Sequence, residues 1–310
     1  MDKKKVVQKF LDSGFLVSPK MLDKIDESNI DNHIERAKQV VVKEDINKGE
    51  KTNKTKTGVE VIFRKRRAKN MLTVQDFMKY YNKIYDHLRN ILLKKTNATS
   101  INKIANISSE VTVIGMIKEI SAHGFVLEDP TGQVEVMANQ VPSANSVISV
   151  TGVVRENKLF KKEIVYPDVP LPKVISTMDA RLLLSTDKDI IKNNPHDIVI
   201  STTENKDKSV HKISFTPIWA DIMKDEKKIT ILIFTPETPI EESNAVDVLR
   251  ARILPVKTIN PNNNILIDDV PDIFWIIQEN EWIKNYKGIT IISSDKSTSI
   301  NLKTREAKAI

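Results

Sequence analysis

Apolar and polar positions alternate with three different rhythms along the chain. Near the start, Val6, Val7, Phe10 and Leu11 recur every three to four residues and so share one helical face. Gly14 ends that run, and Ser18 followed by Pro19 makes a helix start in which the hydroxyl caps free amides and proline takes the first helical position. Met21, Leu22 and Ile25 continue the apolar side, which predicts a small helical module over residues 1–48. Residues 49–70 read as a basic linker carrying one short strand. Gly49 to Gly58 offers lysine, threonine and asparagine with nothing to bury, and Val59 to Phe63 is strand-like. In residues 71–100, Thr73 can cap a long helix whose stripe is Phe77, Tyr80, Tyr81, Ile84, Tyr85, Leu88 and Leu92. Such a stripe serves helix packing rather than base stacking.

From Glu110 the period falls to two. Val111 to Ile117, Gly124 to Asp129, Gln133 to Val136, Val147 to Val150 and Leu159 to Val165 form five short apolar-alternating runs, joined by Asp-Pro, Thr-Gly and Asn turns. Five such strands within residues 101–170 predict a small closed barrel of the oligonucleotide-binding (OB) type. Single-strand binders present a platform of stacking aromatics. Here the candidates are only Phe125 and Phe160, which favours a protein-docking barrel.

Residues 171–310 change rhythm again. Ala180 to Leu184, Asp197 to Ile200, Ile229 to Phe234 and Ile289 to Ile292 are short, apolar and ended by polar residues, as buried strands of a layered α/β sheet are. Ile218 to Met223 is read as a helix between two of them, and Pro255 to Asn264 as extended or looped chain.

Composition narrows the chemistry. The 310 residues include 8 glycines, about a third of the usual share of about 7%, which argues against a cofactor enzyme built on glycine-rich loops. With no cysteine there is no disulfide framework, thiolate nucleophile or cysteine zinc knuckle. No apolar run reaches the roughly 18 residues of a membrane span, and no signal core follows Met1. The expectation is therefore a soluble cytoplasmic protein. The net charge of +7 is uneven, because residues 1–100 carry 23 Lys and Arg against 13 Asp and Glu. Within that third, Arg64, Lys65, Arg66, Arg67 and Lys69 form the candidate contact for nucleic acid or an acidic partner, with a solvated tether as the plainer reading.

Catalytic chemistry is hard to place. The five histidines (His33, His87, His123, His196 and His211) are far apart and form no closely spaced pair. A hydrolytic metal centre in a layered sheet needs Asp, His and Asn at strand ends. The predicted strand ends instead read Ser185-Thr186-Asp187-Lys188, Ser201-Thr202-Thr203, Thr235 to Thr238, and Ser293-Ser294-Asp295. Asp268, Asp269 and Asp272 cluster without a histidine, Ser201 and Ser293 have no readable His/Asp partners, and no phosphate loop or dinucleotide fingerprint is present.

The barrel exit Glu163-Ile164-Val165-Tyr166-Pro167-Asp168-Val169-Pro170 resembles the Ile-x-Tyr-Pro-Asp-x-Pro joint of the small, non-polymerising subunits of archaeal D-family DNA polymerases, kin to the B subunits of eukaryotic replicative polymerases. Leu127 to Gly132, Val270 to Phe274, Thr73 to Phe77 and Leu16 to Pro19 are similar to other segments of that family, in the same order. The resemblance implies a multidomain chain: the helical module, an OB barrel, and a shortened α/β calcineurin-like phosphoesterase domain over 171–310. It makes Tyr166, Pro167, Asp168 and Pro170 the domain joint.

Active members of that family carry a 3′–5′ exonuclease in the last domain, and this sequence departs from its ligand motifs. The family's metal-binding Asp and His fall on Thr186 and Lys188, its Gly-Asp near Thr202 and Thr203, and its Gly-His-x-His on Ile277, Gln278, Glu279 and Asn280. Thr235 to Thr238 stand where Gly-Asn-His-Asp is expected. Thr, Lys and Ile cannot supply the lone pairs and negative charge such ions need. The resemblance thus implies an accessory subunit with no metal, no cofactor and no catalysis, which holds the large catalytic subunit through barrel and phosphoesterase-like domain. DNA enters as part of that nucleoid-associated complex, with primase or sliding clamp as further contacts. Two other classes stay open: a free-standing single-strand-binding OB protein, and a residual metal-dependent phosphoesterase.

Overall fold

The computed structural model describes residues 58–64, 72–107, 109–172, 175–193, 196–203, 210–214, 216–257, 259–263 and 265–310. All belong to the unit Glu50–Ile310, whereas the expected helical module falls in the unit Met1–Gly49 and lies outside the described residues.

The period-two segment forms a closed five-stranded barrel. Its strands are β2 (Glu110–Ser121), β3 (Gly124–Asp129), β4 (Gly132–Met137), β5 (Val147–Arg155) and β6 (Lys158–Val165), in the order β2-β3-β4-β6-β5. β4 and β6 run parallel and the other pairs antiparallel. Val113, Ile117, Phe125, Leu127, Val136, Ile148, Val150 and Leu159 fill the interior. The Asp-Pro-Thr-Gly turn does more than reverse the chain. Asp129 Oδ1 accepts from the amides of Thr131 (2.7 Å) and Gly132 (3.0 Å), while Oδ2 accepts from the amide of Ile101 (3.0 Å). That bond fastens a short 3-10 segment, Ile101–Asn106, whose Ile101 and Ile104 join the barrel core.

Helix α1 (Val74–Leu93) starts on a capping box, in which Thr73 Oγ1 accepts from the amide of Asp76 and the Asp76 carboxylate accepts from the amide of Thr73. Its Tyr80, Ile84, Tyr85, Leu88 and Leu92 are buried, whereas Phe77 and Tyr81 of the expected stripe remain over a third exposed. The buried side belongs to one apolar cluster with Ile114, Met116 and Val147 of the barrel and Trp219, Leu232, Phe234 and Phe274 of the next domain. The Tyr85 hydroxyl donates to the carbonyl of Ile114, and that of Tyr80 to the carbonyl of Asn263 (2.6 Å). At about 1.5–3 kcal/mol per fully buried large side chain, this helix is a principal bond between barrel and sandwich.

The remaining strands make two sheets packed face to face. The larger contains β1 (Glu60–Arg64), β10 (Ile218–Lys224), β11 (Lys227–Phe234), β12 (Ile273–Ile276), β13 (Trp282–Tyr286) and β14 (Ile289–Ser293), in the order β1-β10-β11-β12-β14-β13. β11, β12 and β14 are parallel. The smaller contains β7 (Arg181–Ser185), β8 (Ile198–Ser201), β9 (Val210–Lys212), β15 (Thr298–Asn301) and β16 (Ala307–Ala309), in the order β16-β15-β7-β8-β9, with β7, β8 and β9 parallel. Val61, Leu182, Leu184, Ile198, Ile200, Ile222, Ile231, Ile233, Trp275, Ile292 and Ile300 fill the space between them. Among the described residues, the helices of this part are α2 (Lys188–Asn193), which joins β7 to β8, and α3 (Glu242–Ala251), which follows β11. The expected α/β layering is thus mostly sheet.

Two expectations are corrected here. Ile218 to Met223 is not a helix but strand β10, hydrogen-bonded on both sides to β1 and β11. Its inward Ile218, Ala220 and Ile222 and outward Trp219 sit in different cores, so burial on both faces erased the alternation. The strand before the basic run, expected within a linker, is instead an edge strand of the larger sheet, with Val59, Val61 and Phe63 buried.

Candidate functional site

In open sheets with parallel strands, ligands gather where the carboxyl ends of the strands point. In this protein those ends carry hydroxyl and amide groups that satisfy one another. Ser185, at the end of β7, lies 2.6 Å from Ser297 through their hydroxyls, and Ser185 Oγ also donates to the carbonyl of Asp187 (3.0 Å). Thr186 donates to the carbonyl of Asp295. Ser201, at the end of β8, pairs its hydroxyl with that of Thr203 at 2.9 Å. Beyond β12 the amide of Ile277 donates to the carbonyl of Phe234. Gln278 Nε2 donates to the carbonyl of Ile240 and to Ser293 Oγ, while Ser293 donates to the carbonyl of Asn280. Lys188 opens α2. Among the described residues no group of three or more His, Cys, Asp or Glu is placed to hold a metal ion.

The acidic cluster is engaged with arginines. Asp272 Oδ1 accepts from Arg305 Nη2 at 3.0 Å, and its Oδ2 accepts from the amide of Thr230 at 2.8 Å. Asp269 accepts from Arg64 at 2.9 Å. The carbonyl of Asp268 accepts from Arg252, a buried residue in left-handed conformation just past α3. Two of the three carboxylates, those of Asp269 and Asp272, are thus counter-charges to arginines, and Asp268 meets its arginine through the backbone.

Arg64 is likewise taken up internally. Its guanidinium donates to both oxygens of Asp221 (2.9 and 2.7 Å) and lies 5.1 Å from the centroid of the Trp219 ring. Burial raises the carboxyl pKa of Asp221, but the bonds and charge of Arg64 outweigh it and hold the group below the ordinary aspartate value. Lys65, Arg66, Arg67 and Lys69 lie outside the described residues. Of the two candidate stacking aromatics, Phe125 is in the barrel core and unavailable. Phe160 is 43% exposed, with Arg155 at 6.0 Å from its ring.

The barrel exit is a dense polar knot. Asp168 has φ of 51°, and its amide donates to the carbonyl of Arg250 at 2.7 Å. Its carboxylate accepts from the Tyr286 hydroxyl (3.0 and 3.1 Å) and from Lys287 Nζ (2.6 Å). Burial lowers the Lys287 pKa, but the bond to Asp168 more than reverses this and leaves the ammonium above its usual value. Lys95 donates to the carbonyls of Pro167 (2.5 Å) and Tyr166 (3.3 Å), and Arg250 stacks 4.4 Å above the Tyr166 ring. Val169 is buried in the cluster that joins barrel, α1 and larger sheet, whereas Pro170 is exposed. Beside the knot a groove of about 930 Å³ opens between the barrel, through Ile120, Gln140 and Lys161, and α3, through Asp247 and Arg250.

The chain is 31% identical over 109 residues to the DNA polymerase II small subunit of Archaeoglobus fulgidus, a match covering 32% of this chain and 22% of the relative. It is 20% identical over 252 residues to the DNA polymerase II small subunit of Thermoplasma acidophilum, covering 72% of this chain and 51% of the relative. The chain is similar to archaeal DNA polymerase II small subunits. It spans about half the length, or less, of these curated relatives. No protein-family profile matches it.

Sequence reasoning missed the arginines that anchor the fold, Arg252 and Arg305, and the strands β9, β12, β13, β15 and β16. One signal for β13 and β14 was available: Lys287-Gly288 between Tyr286 and Ile289 is a two-residue hairpin turn.

Proposed function

We propose that the chain is a non-catalytic accessory subunit of a replicative DNA polymerase, which docks and stabilises a large catalytic subunit. In this reading the five-stranded barrel is of the OB type, and the two sheets are a calcineurin-like phosphoesterase domain without its metal site. The observation that carries it is the set of strand ends. Ser185, Thr186, Ser201, Thr203, Gln278 and Ser293 spend their polar atoms on one another and on nearby backbone. Hydroxyls and an amide in such a closed arrangement offer no anionic cage for two divalent ions and no activated water. The relatives' printed name, a polymerase small subunit, supports the same reading. The groove between barrel and α3, floored by Tyr166 and rimmed by Lys161, Asp247 and Arg250, is the surface assigned to the large subunit.

Co-expression with the large D-family polymerase subunit encoded in the same cell tests this. The expected result is a stoichiometric complex that survives gel filtration and weakens when Arg250→Glu disrupts the groove. In parallel, the purified chain with Mn²⁺ or Mg²⁺ should release no nucleotide from 3′-ended single strands. No complex would sink the docking reading. Turnover abolished by chelation would revive the phosphoesterase.

A further inference from the structure

Strand β13 is one edge of the larger sheet, and β16 is an edge of the smaller. Residues of both line a single groove of about 700 Å³, with Ile175, Ile283, Asn285, Lys303, Arg305 and Lys308 among its walls.

The backbone of β13 dictates what can add to it. Tyr286 faces Ile289 across a two-residue loop in which Lys287 and Gly288 have φ of 47° and 78°, the signature of a type I′ hairpin. In such a hairpin the flanking pair exchanges both hydrogen bonds, and alternate pairs follow. Trp282, Lys284 and Tyr286 therefore bond to β14, whereas Ile283 and Asn285 turn their N–H and C=O groups outward to the free edge. No other described residue takes up these groups. Unpaired edge groups of this kind are a template for an added strand.

The side chains say what that strand must carry. Ile283 pairs with Ile292, an inward residue of the sandwich core, so Ile283 also points between the sheets. It is nevertheless 43% exposed, because β16 is only three residues long and leaves this end of the sandwich open. Ile175, on the same groove, is 50% exposed. An apolar side chain is needed there. Across the groove Lys303 is exposed and forms no ion pair among the described residues, against one carboxylate, Glu306, while Lys308, paired with Ser299 beside the inward Ala307, turns to the outer side of the smaller sheet. Arg305, 10% exposed and paired with Asp272, keeps a buried Nη1 without an acceptor. The excess of donors and positive charge asks for a carboxylate.

We propose that this open end of the sandwich is a docking site for an extended peptide segment of another protein. The segment adds to β13 by backbone bonds to Ile283 and Asn285. On its groove-facing side it places an apolar residue against Ile283 and Ile175 and an acidic residue toward Lys303. This surface is separate from the groove beside Tyr166, and the inference does not rest on the polymerase reading.

The test uses the full chain and a fluorescein-labelled synthetic peptide of about nine residues. Threonine occupies every second position, and the intervening positions alternate valine with glutamate; a control peptide has lysine for glutamate. The glutamate peptide should bind in preference to the control and protect the amides of Ile283 and Asn285 from hydrogen exchange. The variant Lys303→Glu, altered only at an exposed position, should lose about tenfold in affinity for the glutamate peptide and prefer the lysine one. Equal binding of both peptides, no binding, or protection mapped elsewhere would overturn the proposal. So would a dimer of the chain alone with those two amides already protected, since the site would then belong to a second copy.

Discussion

Gln278 and Ile240 form a reciprocal amide pair: the amide of Ile240 donates to Gln278 Oε1 at 2.9 Å, and Gln278 Nε2 donates to the Ile240 carbonyl at 2.8 Å. A side chain standing where the family resemblance puts a metal ligand thus acts as a piece of backbone, tying the loop before α3 to the end of β12. Its third bond, to Ser293 Oγ at 2.9 Å, extends the tie to β14.

Replacing Gln278 by alanine would leave both backbone groups of Ile240 buried and unpaired, at a cost of about 2–4 kcal/mol. Urea unfolding should show a lower midpoint with an unchanged slope. Gln278→Glu offers a sharper check. At neutral pH its carboxylate faces the Ile240 carbonyl, and on protonation it regains a donor, so this variant alone should gain stability as the pH is lowered. A midpoint within error of the parent protein for both variants would mean the pair contributes nothing.

Asp168 combines a left-handed backbone with three side-chain bonds, and the two contributions are separable. Asp168→Asn tolerates the positive φ and keeps an acceptor for Tyr286, but loses the charge opposite Lys287. Asp168→Ala loses all three and adds backbone strain. Alanine should therefore destabilise by about 2–3 kcal/mol and asparagine by about half as much. Thermal melts of the pair decide it, and the order asparagine below alanine would contradict the account.

His211 lies on β9 with its side chain buried and Nε2 without a partner among the described residues, and burial lowers its pKa from the ordinary 6.5. The unfolded chain then takes up a proton near pH 6.5 that the folded chain refuses until a lower pH. Stability is unaffected above that range and falls as pH drops through it. His87, lowered by burial and then by Arg252, acts in the same direction. Guanidinium unfolding at pH 7.5 and 5.5 should show the loss, and His211→Leu should remove part of it. A pH dependence identical in the variant would exonerate His211.

Arg64→Ala leaves Asp221, only 13% exposed, with Lys228 at 3.3 Å and the Thr230 hydroxyl at 3.0 Å as its remaining partners. The expected cost is on the order of 2–3 kcal/mol at neutral pH. In the parent protein the lowered carboxyl pKa contributes stability above the ordinary aspartate range, and that contribution disappears as pH falls through the folded value. The gap between parent and variant should therefore narrow in strong acid. Denaturation curves at pH 7 and pH 3 check it. A gap that stays constant would show that the bidentate pair is not the source.

The barrel was most legible where a strand has one wet face, as in β4, whose Gln133, Val134, Glu135 and Val136 spell the pleat directly. The sandwich was legible only where runs were predominantly apolar, as in Ile229 to Phe234, where Thr230 is the single polar residue. Strand β13 alternates Trp282, Ile283, Lys284, Asn285 and Tyr286 because it is an edge, and its mixed character hid it. The strand ends were readable as rich in hydroxyls. What those hydroxyls bond to was not, since the Ser185–Ser297 contact spans 112 positions and no local pattern encodes it. Arg64 shows the same limit: a cation beside three others in sequence looks available, yet its counter-charges lie 157 and 205 positions away.

The pairing of β1 with β10 makes the sandwich discontinuous in sequence, with α1 and the whole barrel inserted between its first edge strand and the rest. A ribosome must therefore deliver the barrel before β1 can find the strand it pairs with, and the larger sheet closes late, at high contact order. A fragment beginning at the barrel exit would contain every residue of the smaller sheet. It would still lack Val59, Val61 and Phe63, leaving the edge of β10 bare and a hole in the core. Cutting the chain at what looks like its domain boundary would thus yield an aggregation-prone piece rather than a domain.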